Sequence, residues 1–358
     1  MLLILAIVLV ALVFEFVNGF HDTANAIATS VATKVLSPRQ AILLSAVCNL
    51  LGALAGTAVA ATIGRGLVDV KAVTSLTLLA ALIGAIIWNL VTWRVGLPSS
   101  SSHALIGGLC GAAVATARGQ WNVIRWATEN PGTHTLEGLW PKVILPMFLA
   151  PVLGIVVGYV FMGMLLACAN RWRPMTVNGV FRRCQLVSAA WMSFSHGTND
   201  AQKTMGVIAL TLFTATTQSH AFDHLPRWLN FLQAPEFKIH LWIKVLCALT
   251  IAAGTTAGGW RIIRTLGRKM VKLHPIHGFA AQMTAASIIQ TASLMGIPLS
   301  TTHVMSAAIM GVGATRGLNA VKWNVVERMV WAWMLTLPTT AVLGYGTLQI
   351  LRLAKLAE

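Results

Sequence analysis

Asp22 lies in FEFVNGFHDTANAIATS, residues 14–30, which begins inside a hydrophobic run long enough to enter a bilayer. The stretch then carries Glu15, Asn18, His21, Asp22, Thr23 and Asn25 before any hydrophilic loop arrives. A carboxylate at the centre of a membrane helix is disfavoured by about 3 kcal/mol, so it needs a compensating role. The stretch has a partner in FSHGTNDAQKTMG, residues 194–206, where Phe194, Gly197 and Asp200 match Phe16, Gly19 and Asp22. Each aspartate, beside the amide oxygens of Asn25, Asn199 and Gln202, could hold a coupling cation or a proton. The plainer alternative is an interhelical hydrogen bond that locks packing. Duplication favours the ion site, because paired polar segments broken at glycine are the pattern of transporters built from two related halves. Gly19 is expected to break its helix and turn backbone carbonyls toward the ion.

A second pair of segments carries hydroxyls. LPSSSSHALIGGLCGA, residues 97–112, is mirrored by IPLSTTHVMSAAIMGVGA, residues 297–314. Pro98 meets Pro298, Ser101 meets Thr301, Ser102 meets Thr302 and His103 meets His303. Proline favours a helix start, and the free N–H groups there bind anions. Two such starts with added hydroxyls, converging at mid-membrane, would make an oxyanion site. The alternative is ordinary Ser/Thr bonding back to the helix. Ser101, Ser102, Thr301 and Thr302 are therefore the candidate anion ligands, with Asn199 and Gln202 beside them. His103 and His303 could orient the hydroxyls or carry a proton, or serve as satisfied structural histidines. Glu15 is a third candidate proton carrier. His134, His220, His224 and His240 are expected at the surface of outside loops.

Other classes fit less well. Ser102-His103 could suggest an intramembrane hydrolase, but neighbouring residues on one helix point apart, and a base must reach its nucleophile. The sequence contains no GxSxG elbow. A channel would not need hydroxyl clusters suited to a substrate.

These motifs must be positioned by membrane helices. The chain is 56% hydrophobic and 10% charged, with a mean hydropathy of +0.72. Apolar runs near the roughly 20 residues of a bilayer crossing recur along it. The net charge of +16 would raise nucleic-acid binding in a soluble chain, but here the basic residues cluster in short loops, as the positive-inside rule expects. No nucleic acid, no cofactor and no tightly bound metal is expected. The five cysteines show no CxxC spacing and read as packing residues. The N-terminal run MLLILAIVLVALVF lacks a basic leader and is expected to be a retained first span.

Spans are expected near 1–33, 40–64, 72–95, 141–168, 184–217, 239–260, 277–296 and 327–351. Arginines at 171, 173, 182 and 183, and the basic residues of 261–272, mark two cytoplasmic segments. An even number of crossings between them puts the 214–238 loop, the 118–142 loop and both termini outside, and the turn at Lys34 and Arg39 inside. The halves are then inverted. The expected organisation is a first transmembrane repeat over 1–170, a basic cytoplasmic linker over 171–183 and a second, inverted repeat over 184–358. The fold class is an all-α polytopic membrane protein of two inverted repeats, with broken helices and re-entrant or discontinuous segments near the midplane.

GFHDTAN (19–25) and HGTNDAQK (196–203) resemble the duplicated G-A-N-D-V-A-N type signature of the PiT family of inorganic phosphate transporters. The P-x-S-(S/T)-(S/T)-H segments and residues 254–261 are similar to it as well, and the likeness spans essentially the whole chain. The resemblance implies a non-enzymatic secondary transporter that imports phosphate, alone or as a metal–phosphate complex, by cation symport and alternating access. It implies that Asp22, Asn25 and Asp200 lie near the cation and the Ser/Thr clusters near phosphate. A bacterial inner membrane is the implied home, and a homodimer is compatible with it. A sulfate permease and a sodium-coupled phosphate symporter are the alternatives. Three departures weigh against sodium: Asn49 where sodium-driven members carry Glu, Lys203 where they carry Asn, and Phe20-His21 in place of Ala-Asn. Protons are therefore expected as the coupling ion, with Lys203 standing in for one bound cation.

Overall fold

The computed structural model describes residues 1–129, 136–219, 221–222 and 226–354. His134, His220 and His224, expected at the surface, lie outside the described residues, as does Asp223. His240 is half-buried at the start of its helix rather than fully at the surface.

Two long helices form the centre. α1 is Leu2–Ala32 and α7 is Pro174–Thr217. Around them stand α2 (Pro38–Leu54), α3 (Ala58–Ala61, continued by a π turn over Thr62–Gly66), α8 (Leu241–Ala257) and α9 (Trp260–Arg264, continued by a π turn over Thr265–Lys269). Two hairpins complete the bundle: α4 (Ser75–Val95) with α5 (Ser101–Thr116), and α10 (Pro275–Leu294) with α11 (Thr301–Ala314). α6 (Leu145–Ala169) and α12 (Trp323–Leu353) lie outside them. A short antiparallel pair, Thr128–Glu129 with Leu136–Glu137, lies in the 118–142 connection.

The helices do break, but not at the aspartate motifs. α1 and α7 run unbroken through Gly19 and Gly197, contrary to the expectation from sequence. Those glycines serve close approach instead. A side chain on Gly19 would meet the backbone of Ile251 and Gly254, and one on Gly197 the backbone of Asn49. Small residues at such crossings let helices pack backbone to backbone without lipid. The bends come between α2 and α3, at 64°, and between α8 and α9, at 61°. Gly258 supplies the second bend with φ of +67°, a backbone conformation that glycine adopts freely.

The two halves repeat their contacts with the roles exchanged. α5 packs on α4 and α12, and α11 packs on α10 and α6. Thr62 Oγ1 donates to the Gly296 carbonyl at 2.7 Å, and Thr265 Oγ1 donates to the Gly96 carbonyl at 3.0 Å. Each hairpin tip is thus tied to the segment after the other half's bend. Leu3, Thr214, Leu348 and Arg352 line one cleft, so both ends of the chain gather where α7 finishes. Ala32, Pro38, Trp260 and Arg264 line another at the opposite end. The relative arrangement is that of two inverted repeats.

Residues 174–183 are helical rather than a loop, because α7 extends through them. Its 44 residues span about 66 Å, twice the hydrocarbon thickness, so the first turns with exposed Arg182 and Arg183 project beyond the bilayer. α6 shows lipid its exposed Phe148, Val152, Val156 and Tyr159.

Candidate functional site

The hydroxyl clusters begin helices, as expected, although the prolines are not the first helical residues. Pro98 and Pro298 lie before the helices, and Ser100 and Ser300 are the caps. Each cap Oγ accepts from the N–H three residues on, at His103 and His303, both at 3.2 Å. This satisfies one orphan donor at each start. The next residues, Ser101-Ser102 and Thr301-Thr302, are buried in the middle of the bundle.

The aspartates of α1 and α7 meet them there. Asp22 and Asp200 are 2% and 0% exposed. Thr302 donates to Asp22 Oδ1 at 3.3 Å, and Thr301 donates to Asp200 Oδ2 at 3.2 Å. Asn25 Nδ2 donates to Thr302 at 2.9 Å and to Thr301 at 3.3 Å. Lys203 occupies the matching place in the second repeat. Its ammonium forms an ion pair with Asp200, donates to Ser102, and lies 3.3 Å from the Leu299 carbonyl. Lys203 is 1% exposed and does not snorkel to water. Ser101 Oγ and Asn25 Oδ1 are buried without protein partners. The structure therefore links Asp22, Asn25, Asp200, Lys203, Ser102, Thr301 and Thr302 in one cluster, with Ser101 buried next to Ser102.

Other expected residues point elsewhere. Gln202 Oε1 accepts from the N–H of Val59 at 2.8 Å and of Ala60 at 3.3 Å, so it caps α3 after the bend. Asn199 Nδ2 donates to Ser293 at 2.9 Å, on α10. Glu15 is bonded by Thr204 across the α1–α7 contact. His103 and His303 meet each other edge to face with ring centres 4.9 Å apart. His303 also stacks on Trp333, at 4.3 Å. The two histidines thus join the starts of α5 and α11.

Sequence reasoning gave no role to His21 and His196. His196 Nε2 lies 3.0 Å from Asp200 Oδ2, one helical turn away, and Nδ1 lies 3.0 Å from Asn49 Oδ1. The donors in this network can be traced. Thr255 Oγ1 donates to the Ile251 carbonyl at 2.8 Å, so toward Asn49 it can only accept. Asn49 therefore presents its nitrogen to Thr255 and its oxygen to His196, whose Nδ1 must donate. The other ring nitrogen lies 3.0 Å from an Asp200 carboxylate oxygen without making a hydrogen bond, a place where a proton could be held between the two groups. Asp22 has a matching contact. His21 Nδ1 lies 2.9 Å from Asp22 Oδ1, and Nε2 is 3.1 Å from Thr92 Oγ1, which donates to the Trp88 carbonyl at 3.0 Å, so both ring nitrogens face acceptors there too. Ligand atoms of Asp22, His196 and Asp200 all lie within 4.8 Å of one another, close enough to hold one small cation between them.

The same paired architecture is found in known proteins. Residues 18–344 match the phosphate transporter family. The chain belongs to that family. It is 43% identical over 346 residues to a Bacillus subtilis (strain 168) protein named "Probable low-affinity inorganic phosphate transporter", with 96% of each chain covered. A Rhizobium meliloti (strain 1021) protein of the same name is 41% identical over 343 residues, covering 96% of this chain and 94% of the relative. Among solved structures, one titled "The sodium-dependent phosphate transporter" superposes with a TM-score of 0.81 at 25% identity. That match covers 99% of this chain and 100% of the other. Relatives named as transporters agree with the reading of this family member as a transporter rather than a hydrolase.

Proposed function

We propose that this protein imports inorganic phosphate, alone or as a metal–phosphate complex, across a bacterial inner membrane by proton symport and alternating access. The observation that carries this reading is the network around Asp200. There, as at His21 and Asp22, a buried imidazole nitrogen faces an aspartate oxygen and offers a place for one proton, and Lys203 pairs with Asp200 beside it. An amide at position 203 could offer sodium an oxygen, whereas an ammonium group offers only donors. The relatives' names support phosphate as substrate.

In this reading Ser101, Ser102, Thr301 and Thr302 hydrogen-bond the phosphate oxygens. Asp22 or Asp200 accepts from a protonated phosphate oxygen, and Lys203 moves its charge from Asp200 toward the incoming anion. Sulfate has no proton to offer, and a carboxylate would repel it. Asn25 joins Thr301 and Thr302 to the first motif. Gln202 and Asn199 hold the surrounding helices, and the His103–His303 pair joins the two helix starts. Glu15 is a reserve proton carrier behind the site. The basic segments 171–183 and 261–272 are cytoplasmic, with the first repeat over 1–170, the second over 184–358, and both termini outside.

Sodium coupling is the second reading, favoured by the likeness to a structure titled as sodium-dependent. Asn49 and Lys203 weigh against it. Uptake of labelled phosphate into proteoliposomes, competed by unlabelled phosphate and by sulfate, tests the substrate. Phosphate should compete more strongly; stronger competition by sulfate would make this a sulfate permease.

A further inference from the structure

The end of the bundle near the 261–272 segment has a groove of about 570 Å³ between the tip of the α4–α5 hairpin, α9 and α12. Four cations line it: Arg261, Arg264, Lys269 and Arg328. No carboxylate is among the lining residues. All four side chains are exposed. Arg261 is already engaged, with its guanidinium 5.4 Å from the Trp93 ring and bonded to the Arg94 carbonyl. Among the described residues, none of the other three forms an ion pair with a carboxylate. The wall beside them is apolar, formed by Trp88, Val95, Leu97, Met329, Trp331 and Leu335. Val95 is 68% exposed and Trp331 61%, so this wall opens outward rather than into the protein.

A free phosphate ion would have no use for an open apolar wall. An amphiphile with an anionic head and an acyl chain would use both parts. We propose that this groove is a binding site for an anionic phospholipid, with the headgroup phosphate among Arg264, Lys269 and Arg328 and one chain along Trp331 and Leu335. Basic pockets between membrane helices are suited to such headgroups, and each cation near an anionic lipid contributes about 1 kcal/mol. The groove is also where Thr265 holds Gly96, the tie between a hairpin tip and the other repeat. A lipid seated there therefore bridges both halves. Thr92, which also lines the groove, bonds His21 beside Asp22, so the groove approaches the aspartate centre from one side. Lipid binding there does not depend on which ion drives transport.

The test is lipid retention by the purified full-length protein, read by native mass spectrometry, with the melting temperature measured in parallel. Phosphatidylglycerol, phosphatidylcholine and inorganic phosphate are each added. Wild type should retain phosphatidylglycerol and melt several degrees higher with it, but not with the other two. The triple variant Arg264→Gln, Lys269→Gln, Arg328→Gln removes three charges while leaving shorter polar side chains in place. Its phosphatidylglycerol affinity should fall on the order of a hundredfold. A control triple, Arg173→Gln, Arg182→Gln, Arg183→Gln, should retain wild-type affinity. Equal retention of phosphatidylcholine by wild type, equal protection by inorganic phosphate, unchanged affinity in the groove variant, or the same loss in the control would each overturn the proposal.

Discussion

Asn49 Oδ1 accepts a hydrogen bond from His196 Nδ1 at 3.0 Å, joining α2 to α7 across 147 residues of sequence. The direction of that bond is fixed by Thr255, and it leaves the other ring nitrogen facing Asp200. His196→Gln removes the proton-bearing ring but keeps polar contacts. Proton-driven phosphate uptake should fall at least about tenfold, the size of effect expected of a positioned acid–base group. Phosphate counterflow, which needs no net proton movement, should be reduced much less. Equal loss of both activities would show that His196 only supports the fold.

The two aspartates should differ when neutralised. Asp22→Asn and Asp200→Asn should both abolish concentrative uptake. Asp200→Asn also strands the buried Lys203 ammonium, and breaking a buried pair typically costs about 3–5 kcal/mol. It should therefore melt well below Asp22→Asn in detergent. Adding Lys203→Met to Asp200→Asn should recover much of the stability but none of the uptake. Normal uptake by both single mutants would remove the aspartates from the mechanism.

Gln202 offers a structural contrast. Its carbonyl oxygen serves two backbone N–H groups at the start of α3, so Gln202→Leu leaves buried donors unpaired, at about 1–3 kcal/mol. The variant should lose stability, while its preference for phosphate over sulfate stays at the wild-type ratio. A changed ratio would return Gln202 to the list of substrate ligands.

The sidedness is open to labelling. Single cysteines in a cysteine-free background, placed in 171–183 or 261–272, should react with an impermeant reagent only when the cytoplasmic face is open. Cysteines near Thr217 should react in intact cells. Labelling of 261–272 from outside would reverse the assignment.

Much of the site could be read from sequence because membrane burial makes polar residues conspicuous. Asp22, Asp200 and the Ser/Thr clusters stood out against apolar runs, and duplication gave each a partner. The bends were misplaced because glycine has two roles in membrane helices. At Gly19 and Gly197 it admits a neighbouring backbone, and only at sites such as Gly258 does it turn the chain. Local sequence does not separate these uses. Gln202 and Asn199 resembled ligands by type, but their direction depended on where α3 and α10 packed. His196 was missed for a related reason. Its position four residues before Asp200 was visible, yet its second partner, Asn49, lies on another helix.

Lys203 separates the two coupling readings. It sits where the first repeat has Asn25, and it pairs with Asp200 while reaching Ser102. Lys203→Asn should weaken proton-driven uptake, or introduce a dependence on sodium, because an amide oxygen replaces a fixed charge.

The most direct test is uptake of labelled phosphate into proteoliposomes under separately imposed proton and sodium gradients. An inward proton gradient should drive accumulation with sodium absent, and a sodium gradient alone should not. Accumulation that requires sodium and ignores the imposed pH gradient would contradict the account.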